Sequence, residues 1–208
     1  MASHGSGEGS RSGGSGFDPR AAQRPEEIPR DSRVTIRPAT LDDKAELTDL
    51  IARSARELSA ADYTPETIEG ALRGAFGVDT QLIMDCTYFV AEIDGKLVAC
   101  GGWSKRRTLF GSDARSGRDA AELDPATDAA KIRAFFVDPA YARRGLGSAI
   151  LERCESEAKA AGFRRFEMMA TLPGARLYER YGYSGTEHVQ YEMQPGLTIE
   201  FIPMKKEV

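Results

Sequence analysis

The spacing of apolar positions changes along the chain, and each change marks an element. Residues 34–38, Val-Thr-Ile-Arg-Pro, read as a short strand closed by proline. Thr40 with Asp43 three residues on makes an N-cap pattern, and Leu47, Leu50, Ile51, Ser54 and Leu58 follow at helical spacing. Thr64 and Pro65 open a second helix, with Ile68, Leu72 and Phe76 as its inner face. Residues 87–93 and 96–103 read as two strands joined by Asp94-Gly95, the preferred pair for a two-residue type I′ hairpin turn. Residues 104–131 form a polar connection that starts with Lys105, Arg106 and Arg107. A connection of that length inside a compact domain is usually functional or mobile.

Residues 132–137 form an apolar run that stops at Asp138-Pro139. After a short turn comes a helix with Leu146, Ile150, Cys154, Ala158 and Ala161 on its inner face, and Gly162 suits the position just past its end. Residues 164–170 read as a strand, Pro173 or Gly174 starts a short helix that stops at Gly182, and residues 187–193 and 197–204 form two strands around Pro195-Gly196. Strands and helices mixed in this order argue for one central sheet covered by helices on both faces.

Composition narrows the class of protein. The first sixteen residues hold six Gly and five Ser, too little apolar surface to offset the entropy of ordering, so residues 1–31 are expected to be a disordered tail and residues 32–208 the folded domain. A net charge of −4 and a pI near 5.4 argue against general affinity for nucleic acid. No apolar run approaches the roughly 20 residues needed to cross a bilayer, and the N-terminus carries no signal-peptide core. A soluble cytoplasmic protein is the expectation. Cys86, Cys100 and Cys154 are odd in number and widely spaced, and with only His4 and His188 beside them neither a disulfide framework nor a metal site is supported.

The chemistry concentrates in the turn after residue 137. Residues 143–148, Arg-Arg-Gly-Leu-Gly-Ser, set consecutive backbone N–H groups at the positive end of a helix and beside two arginines. That arrangement suits an anion, a diphosphate most of all. Read alone, such a turn is more often a solvated basic cap of a helix than a ligand site.

Here two motifs meet. The strand at residues 132–137, the Val137-Asp138-Pro139 ending and the glycines Gly145 and Gly147 resemble the central Gln/Arg-x-x-Gly-x-Gly/Ala motif of the GNAT superfamily of acyl-CoA-dependent N-acyltransferases. Ala142 fills the Gln/Arg slot, and Arg143 and Arg144 follow at once with the positive charge. Residues 171–183, with Leu177-Tyr178 and Gly182-Tyr183, resemble the family's second motif, Asn-x-x-Ala-x-x-Leu-Tyr and a Gly-aromatic pair; Thr171 and Gly174 take the Asn and Ala slots. The likeness spans about residues 34–204.

The resemblance implies a mixed, mostly antiparallel central sheet with helices on both faces and an N-acetyltransferase that uses acetyl-CoA as co-substrate and no metal. The acceptor it implies is a small-molecule or peptide amine, and homodimers are frequent in the family. It places the pyrophosphate on Arg143, Arg144, Gly145, Leu146, Gly147 and Ser148, and the pantetheine arm along the strand edge at Phe135, Phe136 and Val137, with Thr171 and Gly174 close by. The N–H of Phe136 or Val137 would stabilise the oxyanion. Tyr178 falls where the family often carries the acid that protonates the departing thiolate; as a residue alone it is equally a core tyrosine. The slot of the acid that some relatives carry before the central strand holds Lys131, so the base stays open among Glu92, Glu167, Asp128 and a water chain. Tyr63, Trp103, Arg106 and Arg107 are candidate acceptor contacts. The alternative to an enzyme is a non-catalytic acyl-CoA-binding regulatory module.

Overall fold

The computed structural model describes residues 33–208, and the tail expected at residues 1–31 lies outside them. Seven strands form one sheet in the order β1-β2-β3-β4-β5-β7-β6. The strands are β1 (Thr35–Pro38), β2 (Tyr88–Ile93), β3 (Lys96–Ser104), β4 (Ala130–Val137), β5 (Arg165–Thr171), β6 (Val189–Gln194) and β7 (Leu197–Glu207). Every neighbouring pair is antiparallel except β4–β5, which is parallel. The mixed, mostly antiparallel sheet implied by the sequence is therefore present. Asp94 and Gly95 both have positive φ, 51° and 78°, as a type I′ turn demands.

Helices cover both faces. On one lie α1 (Lys44–Leu58), α2 (Pro65–Ala71) and α3 (Thr80–Met84). Leu47, Leu50 and Ile51 of α1 are buried there against Val90, Leu97 and Ile199. On the other face α4 (Leu146–Ala160) and α5 (Ala175–Arg180) bury Ile150, Leu151, Cys154 and Tyr178 against Phe89, Val98, Ile132 and Phe166. Burying a side chain such as Leu or Ile contributes about 1.5–3 kcal/mol, so each face anchors its helices firmly. Three details differ from expectation. Leu58 and Ala161 are exposed, because each lies where its helix runs out; Ala55 is buried on the inner face of α1. Phe76 is buried beyond the end of α2, in the turn that follows it. The helix α3 is additional: five residues carry too few turns to show a period, and it is set by Asp79, whose carboxylate accepts from the Gln81 N–H at 3.1 Å.

Two irregularities shape the centre. The β4–β5 pairing covers only Ala130 with Phe166 and Lys131 with Glu167, and beyond it the strands diverge. On the β3 side the register slips by one residue, so that Ala134 and Phe135 stand opposite Gly101 alone. Ala134 takes φ 57°, and its carbonyl accepts from the Tyr88 hydroxyl at 3.3 Å. This is a β-bulge, which bends a strand and re-aims its side chains. It sends Phe135 towards α4 and Phe136 towards α1. Gly101 makes room for it, since a Cβ there would lie 2.9 Å from the Phe135 ring.

Candidate active site

The divergence of β4 and β5 opens a cleft of about 60 Å³, lined on its sheet sides by Ile132–Phe136 of β4 and by Met168, Met169 and Thr171 of β5. Its far wall is Tyr178 and its other end is closed by Phe76-Gly77, Phe110-Gly111 and Phe201. At one end of β4, Asp138 is buried, accepts from the Ala140 N–H at 3.0 Å and pairs with Arg53 at 3.0 Å. Burial opposes its charge, yet the Ala140 N–H, Arg53 and Lys96 outweigh that and hold the carboxyl below the usual range.

From there the chain turns into α4. Arg143 and Gly145 both take left-handed backbone, φ 62° and 82°, on either side of Arg144. Glycine adopts this without penalty; arginine does so at a cost of roughly 1–2 kcal/mol. The two arginines are exposed, and the N–H groups of Leu146, Gly147 and Ser148 occupy the first turn of a fifteen-residue helix. A Cβ on Gly147 would lie 3.2 Å from Leu177 and 3.9 Å from Val137. The helix start, the end of β4 and α5 thus converge within van der Waals reach, which brings the two sequence motifs to one place.

Among the residues singled out from sequence, Phe135, Phe136, Thr171 and Tyr178 line the cleft, and Arg143 to Ser148 form the turn beside it. Gly174 sits between Thr171 and the Tyr178 ring; a Cβ there would meet them at 3.0 and 3.3 Å. Tyr178 is 7% exposed and its ring packs edge-on to Phe135 and Tyr183, with centroids 6.1 and 6.0 Å away. Burial pushes its phenol well above the ordinary tyrosine value, so the proton stays on oxygen at neutral pH.

Other residues are engaged elsewhere. The Asp138 N–H crosses to the Val98 carbonyl at 2.8 Å, and alternation turns the Phe136 N–H the same way, towards β3, while its ring lines the cleft. Val137 faces the opposite way, and its N–H donates to Ser54 Oγ of α1 at 3.2 Å. Glu92 pairs with Arg37, Glu167 with Lys131, and Asp128 accepts from the Asp124 N–H; none of the three lines the cleft. Arg106 forks onto Asp85 at 2.6 and 2.7 Å, which pins the long connection to α3. Trp103 is a buried core residue against Phe163. The Tyr63 hydroxyl donates to the Glu200 carbonyl and accepts from the Leu172 N–H, tying the α1–α2 loop to the sheet. Cys100 is fully buried, and burial pushes its thiol up to about 12, so it offers no nucleophilic thiolate. Sequence reasoning missed Ser54 as a backbone partner and the two Phe-Gly pairs, 76–77 and 110–111. The repeated dipeptide was the signal available for the latter.

Among the described residues no group of His, Cys, Asp and Glu could hold a metal ion, and no helix is long and apolar enough to cross a membrane.

A mostly antiparallel sheet that splays between its two parallel strands, with a basic helix start at the opening, is a GNAT-like architecture. The sequence model of the acetyltransferase (GNAT) family matches residues 52–183, and the chain belongs to that enzyme family. No curated protein sequence matches it. Solved structures of similar fold include a GCN5-related N-acetyltransferase from Rhodopseudomonas palustris, with TM-score 0.63 and 19% identity over 85% of this chain and 97% of that one. The PaiA N-acetyltransferase of Thermoplasma acidophilum, solved with coenzyme A, gives 0.59 and 14% over 85% and 99%. A polyamine N-acetyltransferase of Drosophila melanogaster gives 0.54 and 14% over 85% and 100%.

Proposed function

We propose that the protein transfers the acetyl group of acetyl-CoA to a primary amine by direct attack in a ternary complex. The observation that carries this is the convergence of a basic helix N-terminus, an unpaired stretch of β4 and a buried tyrosine on one cleft. The pyrophosphate would lie on the N–H groups of residues 145–148, with Arg143 and Arg144 adding charge. The pantetheine arm would run along β4 as an added strand, beside Phe135 to Val137, with Thr171 and Gly174 at its flank. Its carbonyl would then displace Ser54 Oγ from the Val137 N–H.

In the transfer the amine nitrogen forms a bond to the acetyl carbon, and the C–S bond breaks with its electron pair leaving on sulfur. Tyr178 supplies a proton to that sulfur and recovers one from water; burial keeps its phenol in the protonated form through the neutral range. The nitrogen loses its surplus proton to water, since no carboxylate lines the cleft among the described residues. The same observation favours a second reading, a module that binds acyl-CoA without turning it over.

Thiol release measured with a chromogenic disulfide, over a panel of amines, separates the two. The enzyme reading expects amine-dependent release of CoA; saturable acetyl-CoA binding without release on any amine would support the module.

A further inference from the structure

The end of the cleft away from α4 has a definite chemical character. Phe76 meets Phe136 edge-on at 5.6 Å, and Phe110 meets Phe201 at 5.3 Å. Phe110 is also held from behind, by the Tyr191 ring at 4.8 Å and by the Arg115 guanidinium 4.4 Å over its face. The Arg115 Nε in turn donates to the Tyr191 hydroxyl at 3.1 Å. This wall is aromatic and braced.

Its lining offers an entering cation no free carboxylate. Among the described residues that line the cleft none is acidic, and the one ionised side chain is Arg133, buried on β4 and paired with Asp79 at 2.7 Å. An ammonium group entering here loses water and meets no counter-charge, which favours its neutral, nucleophilic form. A second ammonium on the same acceptor would gain nothing to offset that loss.

We propose that the acceptor is a primary monoamine with an aryl or alkyl body, with Phe110 and Phe76 as the residues that select it. This rests on the acetyltransferase reading above. The reaction balances with acetyl-CoA and the amine alone: N–C forms, C–S breaks, and the products are an N-substituted acetamide and the CoA thiol.

The test uses the full chain with acetyl-CoA and six amines: phenethylamine, tryptamine, hexylamine, spermidine, agmatine and lysine. The first three are expected to show kcat/KM at least tenfold above the last three. Phe110→Ala is expected to raise KM for phenethylamine at least fivefold and to leave the calorimetric affinity for acetyl-CoA within twofold. Phe110→Glu is expected to narrow or invert the preference for phenethylamine over spermidine. A wild-type preference for spermidine, agmatine or lysine overturns the proposed acceptor and leaves the acetyltransferase reading standing. Acetyl-CoA binding with no turnover on any amine overturns both, and an absence of acetyl-CoA binding overturns the reading on which the proposal rests.

Discussion

Tyr178→Phe removes one oxygen and nothing else from the cleft. The ring contacts with Phe135 and Tyr183, at centroid distances of 6.1 and 6.0 Å, do not involve that oxygen. The loss of stability should therefore stay below about 1 kcal/mol, which for a domain of this size is a shift in Tm of roughly 2–4 °C. If the hydroxyl protonates the leaving thiolate, its removal should lower kcat by about 10²–10⁴, equivalent to roughly 3–5 kcal/mol in the barrier. Affinity for acetyl-CoA should change by less than about threefold, because binding rests on the turn at residues 143–148 and on the edge of β4. Burial raises the Tyr178 phenol, so its neutral form persists as pH rises past the ordinary tyrosine value near 10. Wild-type kcat should accordingly show no fall from tyrosine ionisation between pH 7 and 9. Steady-state kinetics, calorimetry and thermal melts on the two proteins provide the three numbers. A kcat within about twofold of wild type would show that Tyr178 is a packing residue, and a large drop in Tm alongside lost activity would assign the effect to folding.

Three further outcomes follow from other parts of the molecule. Ser54→Ala frees the Val137 N–H in the unliganded protein, so acetyl-CoA should bind about 2–10-fold more tightly, the worth of one hydrogen bond of about 0.5–1.5 kcal/mol; weaker binding would mean that Ser54 itself contacts the ligand. Iodoacetamide at pH 8 should label exposed Cys86 alone in the native protein, with Cys100 and Cys154 reacting only after denaturation; native labelling of either, read by peptide mass, would contradict their burial. The hydrogen bond from Arg37 holds the Asp43 carboxyl down to about 2, against an ordinary value near 4. A depressed folded value means stability present above pH about 4 and lost as pH falls towards 2, so Asp43→Asn should flatten the wild-type stability curve in that window; parallel curves would show that the pair contributes nothing.

Elements with a local chemical signature were readable without coordinates. Asp94-Gly95 specifies its own turn, the glycines at 145 and 147 mark the start of α4, and the apolar run read as a strand at residues 164–170 falls within one residue of β5 at each end. What escaped depends on partners far away in sequence. The bulge at Ala134 has no signature, since alanine is not a residue chosen for φ 57°; it is held by Tyr88, 46 residues earlier. Arg106 and Arg118 look like the charges of a solvated loop, yet they pair with Asp85 and with Asp79 and Asp113 and fasten the long connection down. The same blindness applied to the backbone: the sequence places Val137 on the cleft edge, but only the packing of α1 shows that its N–H is taken by Ser54.

Every role proposed for the cleft depends on the turn at residues 143–148 receiving the pyrophosphate of acetyl-CoA. Gly147→Asp places a carboxylate in that first helical turn, where it repels a diphosphate, while the nearest neighbour it meets is the Leu177 side chain at 3.2 Å. Calorimetric titration of acetyl-CoA into both proteins, with a thermal melt to confirm folding, is the direct measurement. One site per chain is expected on the wild type and at least tenfold weaker binding on a folded Gly147→Asp; equal affinity for the two, or no binding to the wild type, would contradict the assignment of the pyrophosphate to this turn.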